Sequence, residues 1–74
     1  MPELQAAFGA AVRKLRLKMG MTQEEFAHRA LIDRTYASGI ERGQRNPSLK
    51  AIGKVADALE VSLPELFREV ERRL

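Results

Sequence analysis

Residues 22–43 read TQEEFAHRALIDRTYASGIERG, and the punctuation inside this stretch sets the rest. Thr22 is placed to cap the amide three residues on, and Glu25 to reach back to the amide of Thr22. Met21 and Phe26 flank this box at the spacing of a hydrophobic staple. The pattern predicts a helix from the Thr22 cap to about residue 30, with Phe26, Ala27 and Ala30 inward. Ala27 is small enough to let a following helix come close. After Leu31 and Ile32, Asp33 is an N-cap for a helix through Arg42, closed by Gly43. At about 100° per residue, Arg34, Thr35, Ser38 and Arg42 share one face, while Tyr36, Ala37 and Ile40 share the other. Helices this short are unstable in isolation. The remaining residues must hold them.

On the N-terminal side, Leu4, Phe8, Ala11, Val12 and Leu15 recur at helical spacing and predict a helix over residues 3–18, ended by Gly20. Gly9 inside it costs roughly 1 kcal/mol relative to Ala. Arg13, Lys14, Arg16 and Lys18 crowd its last turns, where cations suit either the negative helix end or a phosphate partner. On the C-terminal side, Pro47 disfavours helix at Asn46, so 44–47 is a polar loop. Ser48 then caps a fourth helix whose predicted buried stripe is Leu49, Ile52, Val55, Ala56 and Leu59. Residues 61–66, VSLPEL, repeat the capping box and staple and open a fifth helix with Leu63, Leu66, Phe67, Val70 and Leu74 along one side. No stretch reads as a strand. The expectation is an all-α chain of five helices forming a single domain over residues 1–74, with helices 2 and 3 as its outward pair.

The 74 residues are 45% hydrophobic, enough for one core, but chains this short bury a small share of their surface and gain from dimerisation. No cysteine is present, which excludes disulfides and thiolate zinc sites. No apolar run reaches membrane-spanning length and no signal pattern opens the chain, so a cytoplasmic location is expected and a membrane is not. The net charge of +3 is unevenly spread: residues 13–54 hold ten Lys/Arg against four acids, and residues 55–74 hold three against five. A basic body of this kind suits a polyanion. There is no Gly-rich phosphate loop, no metal-spaced His/Asp/Glu set and no nucleophile beside a base, so no catalytic residue, metal or cofactor is expected. His28 is a lone histidine on an exposed helix face.

At Gln23, Phe26, Ala27, Ile32, Ile40, Glu41 and Gly43 the pattern is similar to the phage-repressor/Cro-type helix-turn-helix family. The likeness covers about residues 8–67. Its motifs are TQEEFA, the helix ending IERG, then RNPSL and ALEVSLPELF. The segment Asp33-Arg34-Thr35-Tyr36, Ser38 to Gly43 and Arg45-Asn46-Pro47 resembles the controller proteins of restriction–modification systems. The resemblance implies a compact lambda-repressor-like DNA-binding domain and a dimeric transcription regulator. It implies that Arg34, Thr35 and Ser38 approach base edges, while Gln23, Tyr36, Arg42, Arg45 and Asn46 lie by the DNA backbone. Two positions depart from the family pattern: Leu31 stands where Gly is usual, and Ala37 where a β-branched residue is. A left-handed Leu31 costs roughly 1–2 kcal/mol, and Ala37 removes core volume behind the third helix.

The function expected on these grounds is sequence-specific regulation of transcription. A homodimer would bind a palindromic operator, acting on its own operator as repressor and activator, with Glu24 and Glu25 offering RNA polymerase an acidic patch. The candidate dimer interface is Leu59, Val61, Leu63, Phe67, Val70 and Leu74, with Val70 and Leu74 foremost because they lie beyond the family's usual core. Glu41 reads as a structural acceptor bonding back across the motif. The alternative is an antitoxin or other protein-interaction module that works through its C-terminal helix.

Overall fold

The computed structural model describes residues 2–74 and contains five helices: α1 Pro2–Lys18, α2 Gln23–Ala30, α3 Arg34–Glu41, α4 Leu49–Ala58 and α5 Leu63–Glu71. The local signals act as read. Thr22 Oγ1 accepts from the Glu25 amide at 3.0 Å while the Thr22 amide donates to Glu25 Oε1 at 2.8 Å. Ser62 and Glu65 make the same reciprocal pair at 3.2 and 2.9 Å. Those backbone donors hold both glutamate carboxyls below their ordinary range. Asp33 and Ser48 cap α3 and α4.

α1 packs against α5 and α3, α2 against α3 and α4, and α4 against α5, in a body of 28 × 21 × 20 Å. Phe26, Ile40, Leu66, Val12, Val55 and Val70 are its largest fully buried side chains. Phe8 of α1 meets Phe67 of α5 with ring centroids 5.9 Å apart. Lys14 Nζ donates to Glu69 Oε2 at 3.2 Å, and Arg73 and Arg72 share the same carboxylate, so the basic end of α1 ties down α5. Lys14, and then Arg73, hold the Glu69 carboxyl below its usual range. Among the described residues no helix is long and apolar enough to cross a membrane.

Several expectations about faces are corrected. Leu49, assigned to the buried stripe of α4, is 82% exposed, because it is the first residue of the helix and projects beyond the core. Leu59 and Val70, offered as dimer contacts, are buried within the monomer core with Phe8, Val12 and Leu66. α5 folds back onto α1 over Val70, and Leu59 closes α4 within the same core, so neither residue has surface to share. Leu74 is exposed, as are Leu63 and Leu4.

Gly9 is not a flaw in α1. A Cβ there would run into the Ile40 carbonyl oxygen and lie 2.7 Å from that of Glu41. The missing side chain is what lets α1 touch the end of α3. Gly9→Ala should therefore lower stability by about 1–3 kcal/mol despite its better helix propensity, read as a loss of about 4–8 °C in Tm per kcal/mol. An unchanged or raised Tm would show that α1 and α3 do not approach this closely.

Leu31 takes the left-handed conformation at φ 56°, ψ 42°, and its side chain is exposed. Its amide still closes α2 on the carbonyls of Ala27 and His28. Glu60 repeats the feature after α4 with φ 56°. With little burial to lose at Leu31, Leu31→Gly should raise stability by about 0.5–1 kcal/mol, the left-handed strain relieved less the added unfolded-state entropy. A thermal melt checks this, and a fall in Tm would mean the leucine is packed.

Candidate nucleic-acid interface

α3 has an apolar back and a polar front. Ala37 and Ile40 are buried against the core, and Ala37 is 0% exposed, so α3 seats closely on α2 and α1. On the front, Arg34, Thr35 and Arg42 are exposed and Ser38 is half-buried. With Gln23 from the start of α2 they line one shallow concavity of about 250 Å³. These are five of the eight residues expected to meet DNA, drawn together from two helices.

Tyr36, Arg45 and Asn46 stand apart from that concavity. Tyr36 is half-buried against the core. The Arg45 guanidinium lies 5.7 Å from its ring centroid, within cation–π reach. A Cβ on Gly39 would come within 2.7 Å of Arg45 Cγ, so this glycine gives the Arg45 stem room to cross α3. Asn46 instead borders an apolar groove with Leu4, Gln5, Phe8, Pro47, Ile52 and Phe67.

The start of α3 is already occupied by a carboxylate. Asp33 Oδ2 accepts from the amides of Thr35 and Tyr36, at 2.9 and 3.4 Å. Its carboxylate occupies the positive end of α3, where an anion would otherwise sit. Arg34 and Arg42, rather than the α3 amides, thus provide the positive charge of the concavity.

Behind the front lies a buried ion pair. Arg16 Nε donates to Glu41 Oε2 at 2.7 Å and Arg16 Nη2 to Glu41 Oε1 at 3.0 Å. Arg16 Nη1 donates to the Met21 carbonyl at 2.8 Å, and Gln23 Nε2 to Glu41 Oε1 at 3.1 Å. Glu41 is the back-bonding acceptor expected of it. Arg16 is the correction: placed by sequence among helix-end or phosphate-binding cations, it is 7% exposed and fully paired. The available signal was its spacing, since Arg16 follows Val12 by four residues and so lies on the buried face of α1.

Residues 12–66 match the helix-turn-helix family. Control protein C.MunI of Mycoplasma sp is 41% identical over 73 residues, spanning 97% of this chain and 99% of the relative. Control protein C.BamHI of Bacillus amyloliquefaciens is 45% identical over 65 residues, spanning 86% and 80%. The chain belongs to the restriction–modification controller proteins of the helix-turn-helix family. Like them, this controller protein is a DNA-binding transcription regulator. The controller protein C.Esp1396I, solved as a tetramer in complex with its natural 35-base-pair operator, superposes on it with a TM-score of 0.88 at 38% identity, covering 95% of this chain and 92% of that one. The five-helix, all-α architecture of this controller protein is thus the family's, Leu31 and Ala37 notwithstanding.

Proposed function

We propose that this controller protein binds a palindromic operator as a homodimer, with α3 in the major groove, and regulates its own transcription. The observation that carries the reading is the single concavity of Gln23, Arg34, Thr35, Ser38 and Arg42 on a helix whose back is seated in the core. A helix fits the major groove, where an Arg fork meets O6 and N7 of guanine together. Arg34, at the first turn of α3, is placed to do this. Thr35 offers a methyl group to thymine or a hydroxyl to a phosphate, and Ser38 reads by close approach. Gln23, Arg42, Arg45 and Asn46 serve the sugar-phosphate chain, and Tyr36 supports Arg45. Such contacts position the helix without carrying sequence information.

One recognition helix has a small footprint, and two-fold dimers of this motif span half-sites about 34 Å apart. With Leu59 and Val70 spent on the core, the interface is assigned to Val61, Leu63, Phe67 and Leu74 together with Leu49. Leu49→Asp should convert the dimer to monomer in sedimentation equilibrium at micromolar concentration and weaken operator binding, while leaving the helix content intact. A dimer that survives the substitution would move the interface elsewhere. Glu24 and Glu25 are exposed on α2 and form the surface offered to RNA polymerase in activation.

Selection from a random duplex pool tests the whole reading. A palindrome should emerge, bound far more tightly than scrambled DNA, with affinity falling steeply as salt rises. A pool with no enriched site would overturn it. The protein-interaction alternative is not favoured, since the chain's relatives are controller proteins and helix-turn-helix regulators.

A further inference from the structure

Gln23 is the one residue of the concavity bonded to the protein's interior, and the bond constrains which way its amide faces. The Glu41 carboxylate takes three N–H donors, two from Arg16 and one from Gln23. An ionised carboxylate offers only lone pairs. The Gln23 side chain can therefore meet it only through Nε2. One N–H is consumed there, and the second N–H and Oε1 remain for the concavity that Gln23 lines.

We propose that the buried Arg16–Glu41 pair is a positioning device for DNA binding, holding the Gln23 amide so that its second N–H meets an acceptor on the duplex. The inference rests on the DNA-binding reading above and adds a residue-level cause to it. The pair is well placed for the task. Arg16 comes from α1, Glu41 ends α3, and Arg16 also grips the Met21 carbonyl just ahead of the Thr22 cap. The backbone just ahead of α2 and the last residue of α3 are thus tied to one guanidinium, and Gln23, the first residue of α2, joins them through Glu41. The Glu41 side chain is 2% exposed and that of Arg16 9%, so little water competes for these bonds.

A glutamine on a free surface samples many rotamers, and immobilising it on binding costs affinity. Here that cost is met when the protein folds. Two acceptors fit the second N–H: a phosphate oxygen or N7 of a purine. A phosphate contact acts on any duplex, and a base contact only on the operator, so the two sources are separable.

The experiment uses the full chain and three variants: Gln23→Met, the pair replacement Arg16→Met/Glu41→Leu, and all three changes together. Replacing both members of a buried pair with apolar residues commonly preserves the fold, which a thermal melt verifies. Binding is measured by fluorescence anisotropy to the selected operator and to a scrambled duplex. Releasing Gln23 should weaken operator binding by roughly tenfold for the two subunits of a dimer. Gln23→Met should do at least as much, and the triple variant should bind like Gln23→Met alone. Equal losses on both duplexes assign the acceptor to phosphate, and loss on the operator alone assigns it to a base. A pair variant that binds like the parent, or losses that multiply in the triple variant, would overturn the proposal.

A second measurement needs no substitution. In the free protein the Gln23 side-chain amide should show an order parameter near that of rigid backbone, well above the exposed Gln44 amide. Equal mobility of the two would overturn the proposal even if the pair variant failed to fold. Should Arg34→Ala also leave operator binding intact, the interface itself has been misplaced. If only the Gln23 results fail, the interface stands and the positioning role falls.

Discussion

Arg34→Ala is expected to weaken operator binding by about 2–6 kcal/mol, roughly thirtyfold to twenty-thousandfold, because each subunit of the dimer loses a bidentate base contact of about 1–3 kcal/mol. The side chain is exposed at the start of α3, so the melting temperature should stay within experimental error of the parent. Binding to scrambled DNA should fall far less, since only one unit charge per subunit is removed from the electrostatic attraction. The decisive measurement is the ratio of the two affinities at one stated salt concentration. A loss of equal size on operator and scrambled duplex would make Arg34 a phosphate contact and shift base reading to Thr35 and Ser38. Variation of the operator adds a second check. The base pair that Arg34 reads should matter to the parent and become indifferent in the variant.

Glu41→Leu, made alone, should be the most destabilising single change at the site. It leaves the Arg16 guanidinium, 7% exposed, without its counter-charge and with two N–H groups unsatisfied. Breaking a buried pair in this way costs about 3–5 kcal/mol. A domain of this size holds on the order of 4–11 kcal/mol in total, so the variant should melt roughly 15–30 °C below the parent. Adding Arg16→Met to it should recover most of the loss, because no uncompensated charge is then buried. The contrast between the single and paired variants separates the energetic role of the pair from its role in holding Gln23. A single variant that melts within a few degrees of the parent would mean that water reaches Arg16 and that the pair is not buried in solution.

Gly9→Ala and Glu41→Leu strike the same joint from opposite sides. Gly9 brings α1 against the last carbonyls of α3, and Arg16, two turns further along α1, reaches the Glu41 side chain. α1 thus helps to fix the pitch of α3, the helix proposed to enter the major groove. α2 contributes the turn at Leu31, whose left-handed backbone is accommodated without glycine.

The number of helices, their starts and the polar front of α3 were legible in the residue order, because each depends on partners within one or two turns. Thr22 with Glu25, Ser62 with Glu65, and Asp33 with the α3 amides all bond within three residues. The 100° step likewise places Arg34, Thr35, Ser38 and Arg42 on one face whatever surrounds them. Fates settled by distant partners were not legible. The spacing of Arg16 from Val12 turns it inward, but its partner Glu41 lies 25 residues away and cannot be named from that spacing. Gly9 looks like a weak point until the carbonyls of α3 press against it. Leu49 and Val70 carry similar apolar side chains at similar helical spacing, yet one is 82% exposed and the other 1%. Periodicity names a face, and only tertiary packing, α5 on α1 for Val70 and α4 on α2 and α5 for the helix that Leu49 opens, decides how far along each helix that face is covered.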